Sequence, residues 1–152
     1  MFTQTRPPAQ KRRDGAPPVI VVGYDGLEAS RSAVAAAAQR AGPEGTLAVV
    51  YVIDPVPGWR ALDERYLAAQ RSLNRLASAD FRGTKVETEV VEGQAAEALI
   101  RVAQVRQADE IVVGSRRRGR LRAMLGSVSH RLLEQAGRPV VVVTHAHTTP
   151  KT

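Results

Sequence analysis

The chain has 152 residues, a hydrophobic content of 43% and a formal net charge of +7, values that predict one globular domain with one sizeable core. It contains no cysteine, which excludes disulfide bonds, cysteine-based metal sites and thiol catalysis. No apolar run approaches the roughly 20 residues of a membrane-spanning helix, and residues 1–18 lack the apolar segment of a secretory signal, so we expect a cytoplasmic protein.

The positive charge is concentrated in two segments. Residues 1–18 carry four basic side chains and one acidic one, and residues 114–127 carry five arginines and no acid, which leaves a charge of −1 for the rest of the chain. The first segment also holds four prolines, and its composition predicts a disordered basic arm. Residues 145–152 are predicted to form a tail, whose two histidines lack a third side chain with which to hold a metal ion.

Five short apolar runs, separated by stretches with apolar residues at helical spacing, predict an α/β fold over residues 19–144. The runs predict strands at Val19–Val22, Leu47–Ile53, Val86–Val90, Ile111–Val113 and Val140–Val143. Wholly apolar strands are typical of a parallel sheet with helices on both faces. The third run holds two glutamates, which favours an edge position. An open five-stranded parallel sheet of order 3-2-1-4-5 satisfies this and keeps the crossovers right-handed.

Two glycine-rich segments leave the two strands that this order makes adjacent. Residues 23–26, Gly-Tyr-Asp-Gly, follow the first strand, and the segment from Gly114 to Ser129 follows the fourth. Ligands of open α/β sheets bind at the carboxyl ends of the strands where the order reverses, so both segments are predicted to line one crevice. Gly126 and Ser127 open the last helix, whose free N–H groups attract anions, and arginine binds phosphate through its fork of donors. The pattern favours a phosphate-bearing ligand.

The chain resembles the universal stress protein (UspA) family over roughly residues 18–144. The run from Gly114 to Ser127 is similar to the family signature Gly-x2-Gly-x9-Gly-Ser/Thr, and further similar segments occur in the family's order at residues 19–32, 51–54, 93–96, 108–115 and 125–129. The resemblance implies a Rossmann-like fold of the adenine nucleotide alpha hydrolase type and a stress-response or regulatory role. The ligand it implies is ATP with its Mg²⁺, or AMP or cyclic AMP in its place. It also implies a homodimer through the last strand, Val140–Val143, whose uncovered apolar edge would pair with another chain.

The resemblance also implies which residues contact the nucleotide. The positions expected to do so are Gly23, Tyr24, Asp25, Val52, Gly114, Ser115, Arg116, Arg117, Gly119, Gly126, Ser127, Val128 and Ser129. This chain departs from the family pattern in the loop, which has eleven residues between Gly114 and Gly126 where the family has twelve. Arg117 occupies the place of the family's middle glycine, and Gly119 follows two positions later. Arg117 either blocks the phosphate pocket or binds the phosphate, and both alternatives stay open.

Other functions stay open on the sequence. A dimeric stress-response scaffold that binds no nucleotide would explain Arg117 and the short loop. A polyanion or nucleic-acid binder would use the arginine-rich loop together with the basic arm, although an aromatic content of 4% argues against stacking on single strands. The chain lacks a phosphate-loop lysine motif and a Gly-x-Ser-x-Gly nucleophile turn, so we expect at most weak ATP hydrolysis. Asp25 also suits a simple turn, and Ser127 suits a helix N-cap.

Overall fold

The computed structural model describes residues 2–5, 15–55, 57–115 and 126–144. Strands and helices alternate along most of this sequence. The elements are β1 (Phe2–Thr5), β2 (Val19–Gly23), α1 (Glu28–Ala41), β3 (Thr46–Ile53), α2 (Trp59–Ala77), β4 (Lys85–Glu92), α3 (Ala95–Arg106), β5 (Glu110–Gly114), α4 (Ser127–Gln135) and β6 (Val140–Val143). Within the described residues, none of the helices combines the length and the hydropathy of a bilayer-crossing segment.

The strands form one sheet in the order β1-β6-β5-β2-β3-β4. The neighbours from β6 to β4 all run parallel. The five predicted strands therefore lie in the order 3-2-1-4-5, and the predicted α/β fold with an open parallel sheet is confirmed. The switch point lies between β2 and β5, which pair directly.

Two apolar clusters, one on each face of the sheet, form the core. Alternate residues of each strand point to opposite faces, so Val140 and Val142 join one cluster while Val141 and Val143 join the other. The first cluster packs against α3 and α4 through residues such as Leu99 and Leu132, and the second packs against α1 and α2. Strand β4 lies at one edge, as its glutamates predict, and Glu87 forms ion pairs with Lys85 and Arg106.

Strand β1 lies within residues 1–18, for which the sequence predicts a disordered arm, and the four residues Phe2–Thr5 differ from that prediction. Phe2–Thr5 pairs antiparallel with the outer edge of β6, with Phe2 opposite Val143 and Thr5 opposite Val140. A sequence as short and polar as Phe-Thr-Gln-Thr carries no strand signal of its own. Its pairing depends on a valine strand distant in sequence that has no other neighbour on that side. The edge on which the expected homodimer depends is therefore occupied by the chain itself. The remaining predictions for residues 6–14 and 145–152 lie outside the described residues.

Candidate functional site

The exit of β5 lies directly against the first turn of α1. A Cβ atom added to Gly114 would lie 2.4 Å from the carbonyl oxygen of Ala29 and 3.0 Å from the amide nitrogen of Ser30. Only glycine permits so close an approach of two backbones. The structure therefore brings together the two segments that leave β2 and β5, as the strand order predicts, although the atoms that require Gly114 belong to α1 rather than to a ligand.

Asp25 holds the turn between β2 and α1 in one conformation. Its Oδ1 accepts the N–H of Leu27 at 2.9 Å and the hydroxyl of Ser30 at 2.7 Å. The hydroxyl of Ser30 in turn accepts the N–H of Asp25 at 3.2 Å. The structure thus gives Asp25 the role of a turn residue. These hydrogen bonds fix its half-buried carboxylate just after the carboxyl end of β2, one of the two strands of the switch point.

Two tyrosines near the carboxyl ends of β2 and β3, Tyr24 and Tyr51, stabilise this turn. Tyr24 is buried in the cluster under α1, with its ring 6.2 Å from that of Tyr51 in an edge-to-face arrangement. The hydroxyl of Tyr51 donates to the carbonyl oxygen of Asp25 at 3.3 Å. The side chain of Tyr24 is therefore part of the core. Val52, the expected contact after the second predicted strand, lies half-buried on the opposite face, against the α3 cluster.

Gly26 brings α2 against the same turn. Its backbone has φ +82°, a conformation that favours glycine, and an added Cβ would lie 3.1 Å from the hydroxyl of Ser72 in α2. Because Trp59 precedes Ser72 by thirteen residues on this helix, it lies about 20 Å farther along the axis. Trp59 is 70% exposed and stands well outside the turn.

The start of α4 carries the remaining described site residues. Gly126 is the N-cap, and Ser127, which the sequence suggested as the cap, is instead the first helical residue. Ser127 is exposed, Ser129 is buried and Val128 packs against the α3 cluster. Ser115, at the end of β5, is buried, and its N–H donates to the carbonyl oxygen of Val143 at 2.9 Å. Arg116, Arg117 and Gly119 lie outside the described residues.

The start of α4 also has the character of an anion site. Its N-cap, Gly126, has no side chain with which to cap the helix, its first turn holds no acidic residue, and a Cβ added to Gly126 would meet no described atom within 4 Å. Since helices that connect parallel strands run opposite to them, this N-terminus lies at the carboxyl end of the sheet. Free N–H groups and the positive end of the helix dipole favour a bound anion there. Among the described residues, no three His, Asp or Glu side chains converge as a metal site requires.

The opposite end of the sheet holds a buried arginine that the sequence did not single out. Nη1 of Arg138 donates to the carbonyl oxygens of Ala103 and Ala108, both at 2.8 Å. Its Nε is buried without an acceptor in the described part of the chain. Burial lowers the pKa of Arg138 from its ordinary value, and the charge of Asp109 opposes this shift. An arginine between glycine and proline has no pattern that predicts burial, so its role in closing the end of α3 emerges only from the fold.

Comparison with known proteins decides the family. The model of the universal stress protein family matches residues 18–144. The chain belongs to the universal stress protein family.

Two relatives and one solved structure illustrate the match. Universal stress protein MJ0531 of Methanocaldococcus jannaschii is 31% identical over 139 residues, covering 82% of this chain and 80% of that protein. The universal stress protein from the QAH/OAS sulfhydrylase 3′ region of Thermus aquaticus is 33% identical over 134 residues, covering 82% of this chain and 96% of that protein. The crystal structure of a universal stress protein in complex with cAMP has a TM-score of 0.64 and 26% identity, covering 87% of this chain and 100% of that one.

Proposed function

We propose that this universal stress protein binds an adenine nucleotide, ATP with its Mg²⁺ in the first instance, in the crevice between the β2–α1 turn and the start of α4. Its role is regulation through the bound nucleotide rather than turnover. The observation that carries the proposal is the backbone contact between Gly114 and the first turn of α1. This contact sets the carboxylate of Asp25 beside the exit of β5, at the switch point where α/β sheets bind ligands.

The two sides of the crevice differ chemically, which supports a ligand that has hydroxyl groups at one end and phosphate at the other. At one end the carboxylate of Asp25, held by Leu27 and Ser30, is a hydrogen-bond acceptor suited to the hydroxyl groups of a ribose. At the other end α4 begins at a glycine that provides no capping side chain and has no acidic residue in its first turn, which suits phosphate. Adenine nucleotides have both kinds of group, and a related universal stress protein was crystallised in complex with cAMP, which supports an adenine nucleotide as the ligand.

A calorimetric titration of the nucleotide-free protein with Mg-ATP, AMP and cyclic AMP tests the proposal. We expect saturable binding of one ATP per chain. Asp25→Ala is expected to weaken it 10- to 100-fold, since a hydrogen bond to a charged group contributes about 1.5–3 kcal/mol. ATP is expected to bind more tightly than AMP because its additional phosphates interact with the start of α4. Equal affinities for ATP and AMP would show that the site contacts only the nucleoside monophosphate and not the additional phosphates of ATP.

Asp80 offers a matched control. Its Oδ1 accepts the N–H of Arg82 at 2.8 Å, the same two-residue turn that Asp25 makes with Leu27, but it precedes β4 and lies at the amino end of the sheet. Asp80→Ala therefore removes an equivalent turn bond away from the crevice, and ATP affinity should stay within about twofold of wild type. Equal losses in both variants, or no heat with any nucleotide from folded wild-type protein, would reject the proposed site. The dimeric scaffold would then be the preferred function.

A further inference from the structure

We propose that Arg65, in the first half of α2, contacts the base of the bound nucleotide with its guanidinium group. The inference rests on the proposed nucleotide site and adds to that site a specificity-determining side chain from a second helix. It makes α2 one side of the site, next to the carboxyl end of β3.

The base of a nucleotide in this crevice would lie at the carboxyl end of β3. The phosphates belong at the start of α4, which packs against β6 on the same face as α3. The ribose belongs at Asp25, just after β2. Because β3 is the next strand beyond β2 in this direction, a nucleotide that extends from α4 past Asp25 brings its base to β3.

The backbone of β3 is open on the side of β2 at this point. The carbonyl oxygen of Val50 accepts the N–H of Tyr24 at 2.9 Å, and the pairing of the two strands ends at Gly23 and Val50. Alternate residues of a strand direct their N–H and C=O groups to the same side, so those of Val52 face β2 beyond its last paired residue. One donor and one acceptor match the acceptor and donor on an edge of adenine.

The first half of α2 extends beyond the sheet next to this position. Ser72 lies against Gly26, since a Cβ added to Gly26 would be 3.1 Å from the hydroxyl of Ser72. Arg65 precedes Ser72 by seven residues, which is nearly two helical turns, so both side chains project from the same side of α2. Arg65 lies about 10 Å closer to the helix N-terminus, and therefore beyond the β2–α1 turn, in the space that a nucleotide would occupy.

The guanidinium group of Arg65 has no described partner that would compete with a ligand. Arg65 is exposed, and within the described part of the chain it forms neither an ion pair nor a hydrogen bond through its side chain. The residues one turn before and after it, Ala61 and Ala69, carry no charge with which to pair. A base hydrogen-bonded to Val52 would lie near the plane of the sheet and present one of its faces to the side on which α1 and α2 pack. A planar guanidinium stacks on such a face.

Calorimetric titration of the full chain with Mg-ATP and with AMP tests this contact. Arg65→Ala should weaken the binding of both nucleotides by the same factor, about 3- to 30-fold, because the lost contact is to the base that they share. Alanine at this exposed position favours the helix, so the variant should fold like wild type.

Arg71 offers a matched control on the same helix. It is exposed and follows Arg65 by six residues, so it projects about 120° away around the helix axis. Arg71→Ala should therefore leave both affinities within about twofold of wild type. Equal losses in the two arginine variants, or no loss in Arg65→Ala, would overturn the contact. So would a loss that is larger for ATP than for AMP and disappears at about 0.5 M salt, since it would reflect screened attraction of the phosphates.

Asp25→Ala, titrated in parallel, separates this inference from the proposed site. Binding of ATP that Asp25→Ala weakens and Arg65→Ala does not would retain the site and reject the contact with Arg65. A folded wild-type protein that binds no nucleotide would reject both.

Discussion

The two ends of the sheet use charge in opposite ways. At the amino end, arginines meet the C-termini of helices: Arg40 pairs with Glu110 through two contacts of 2.5 and 2.6 Å, and Arg138 closes the end of α3. The carboxylate of Asp109 accepts the N–H of Val19 at 2.8 Å, and the backbone N–H of Asp109 donates to the carbonyl oxygen of Val19. Charged groups at this end are therefore paired within the protein.

At the carboxyl end, the N-cap residues do not cap their own helices. Among the described residues, no N-cap side chain hydrogen-bonds to the first turn of its helix, and two of the N-caps are glycines, Gly58 and Gly126. Helix α1 is held instead by Asp25, which accepts the N–H of Leu27. Capping by Ser, Thr, Asp or Asn contributes about 1 kcal/mol per helix. The comparison teaches that the amino end of the sheet is organised for stability, whereas at the carboxyl end α4 begins without a capping side chain, as the proposed nucleotide site requires. Three substitutions can break or sharpen that distinction.

The largest effect is expected for Gly114→Ala, which tests whether the carboxyl end also has a structural requirement. The new Cβ would lie 2.4 Å from the carbonyl oxygen of Ala29, so α1 must move, at a cost of about 2–3 kcal/mol in the free energy of unfolding. ATP affinity should fall as well because Asp25 moves with α1. Gly126→Ala is the control, since that site has φ −59° and open space. Urea unfolding that shows equal losses for both glycines would contradict the close contact.

A smaller effect is expected for Arg138→Met, which tests the amino end. The substitution removes two donors from the carbonyl oxygens of Ala103 and Ala108 but also removes a buried charge, and these terms oppose each other. We expect a net loss of about 1–2 kcal/mol in unfolding free energy with ATP affinity unchanged. A fall in affinity without a fall in stability would show that the two ends are coupled and would remove the distinction drawn above.

The smallest effect is expected for Arg106→Gln, and it depends on pH. Hydrogen bonds from Arg106 and Lys85 lower the pKa of Glu87 below its ordinary value. A lowered folded-state pKa stabilises the protein above the unfolded pKa, and this contribution disappears as pH falls through the folded pKa. The variant should therefore be less stable than wild type by about 0.5 kcal/mol at pH 7, and this difference should become smaller as the pH is lowered towards 3. Thermal unfolding at both pH values measures this. A difference that grows on acidification would contradict the assigned role of Glu87.

Periodicity and burial were sufficient to predict the parallel sheet. Central strands are apolar on both faces, and the glutamates of Val86–Val90 place that strand at an edge, so the order followed from residue type together with right-handed crossovers. The convergence of Asp25 and Gly114 followed from that order. The local roles did not: that Tyr24 packs into the core and that Gly114 accommodates α1 depend on distances between elements, which spacing in the sequence does not encode.

Strand β1 and Arg138 were missed for a related reason. Phe2–Thr5 forms a strand only because β6 offers an edge, and Arg138 is buried only because α3 ends above it. In both cases a distant partner determines the conformation, and the local sequence is compatible with a solvated loop or arm. Tertiary context therefore overrides local preference at these positions.

The pairing of β1 with β6 also has a consequence for biosynthesis. Phe2–Thr5 leaves the ribosome before the other strands, whereas Val140–Val143 is made after all of them. Contacts between such distant segments close last, since the intervening chain must first be ordered. Until then Phe2–Thr5 has no strand with which to pair. Docking of β1 therefore requires β6, and a chain that stops before β6 would leave Phe2–Thr5 without its pairing partner.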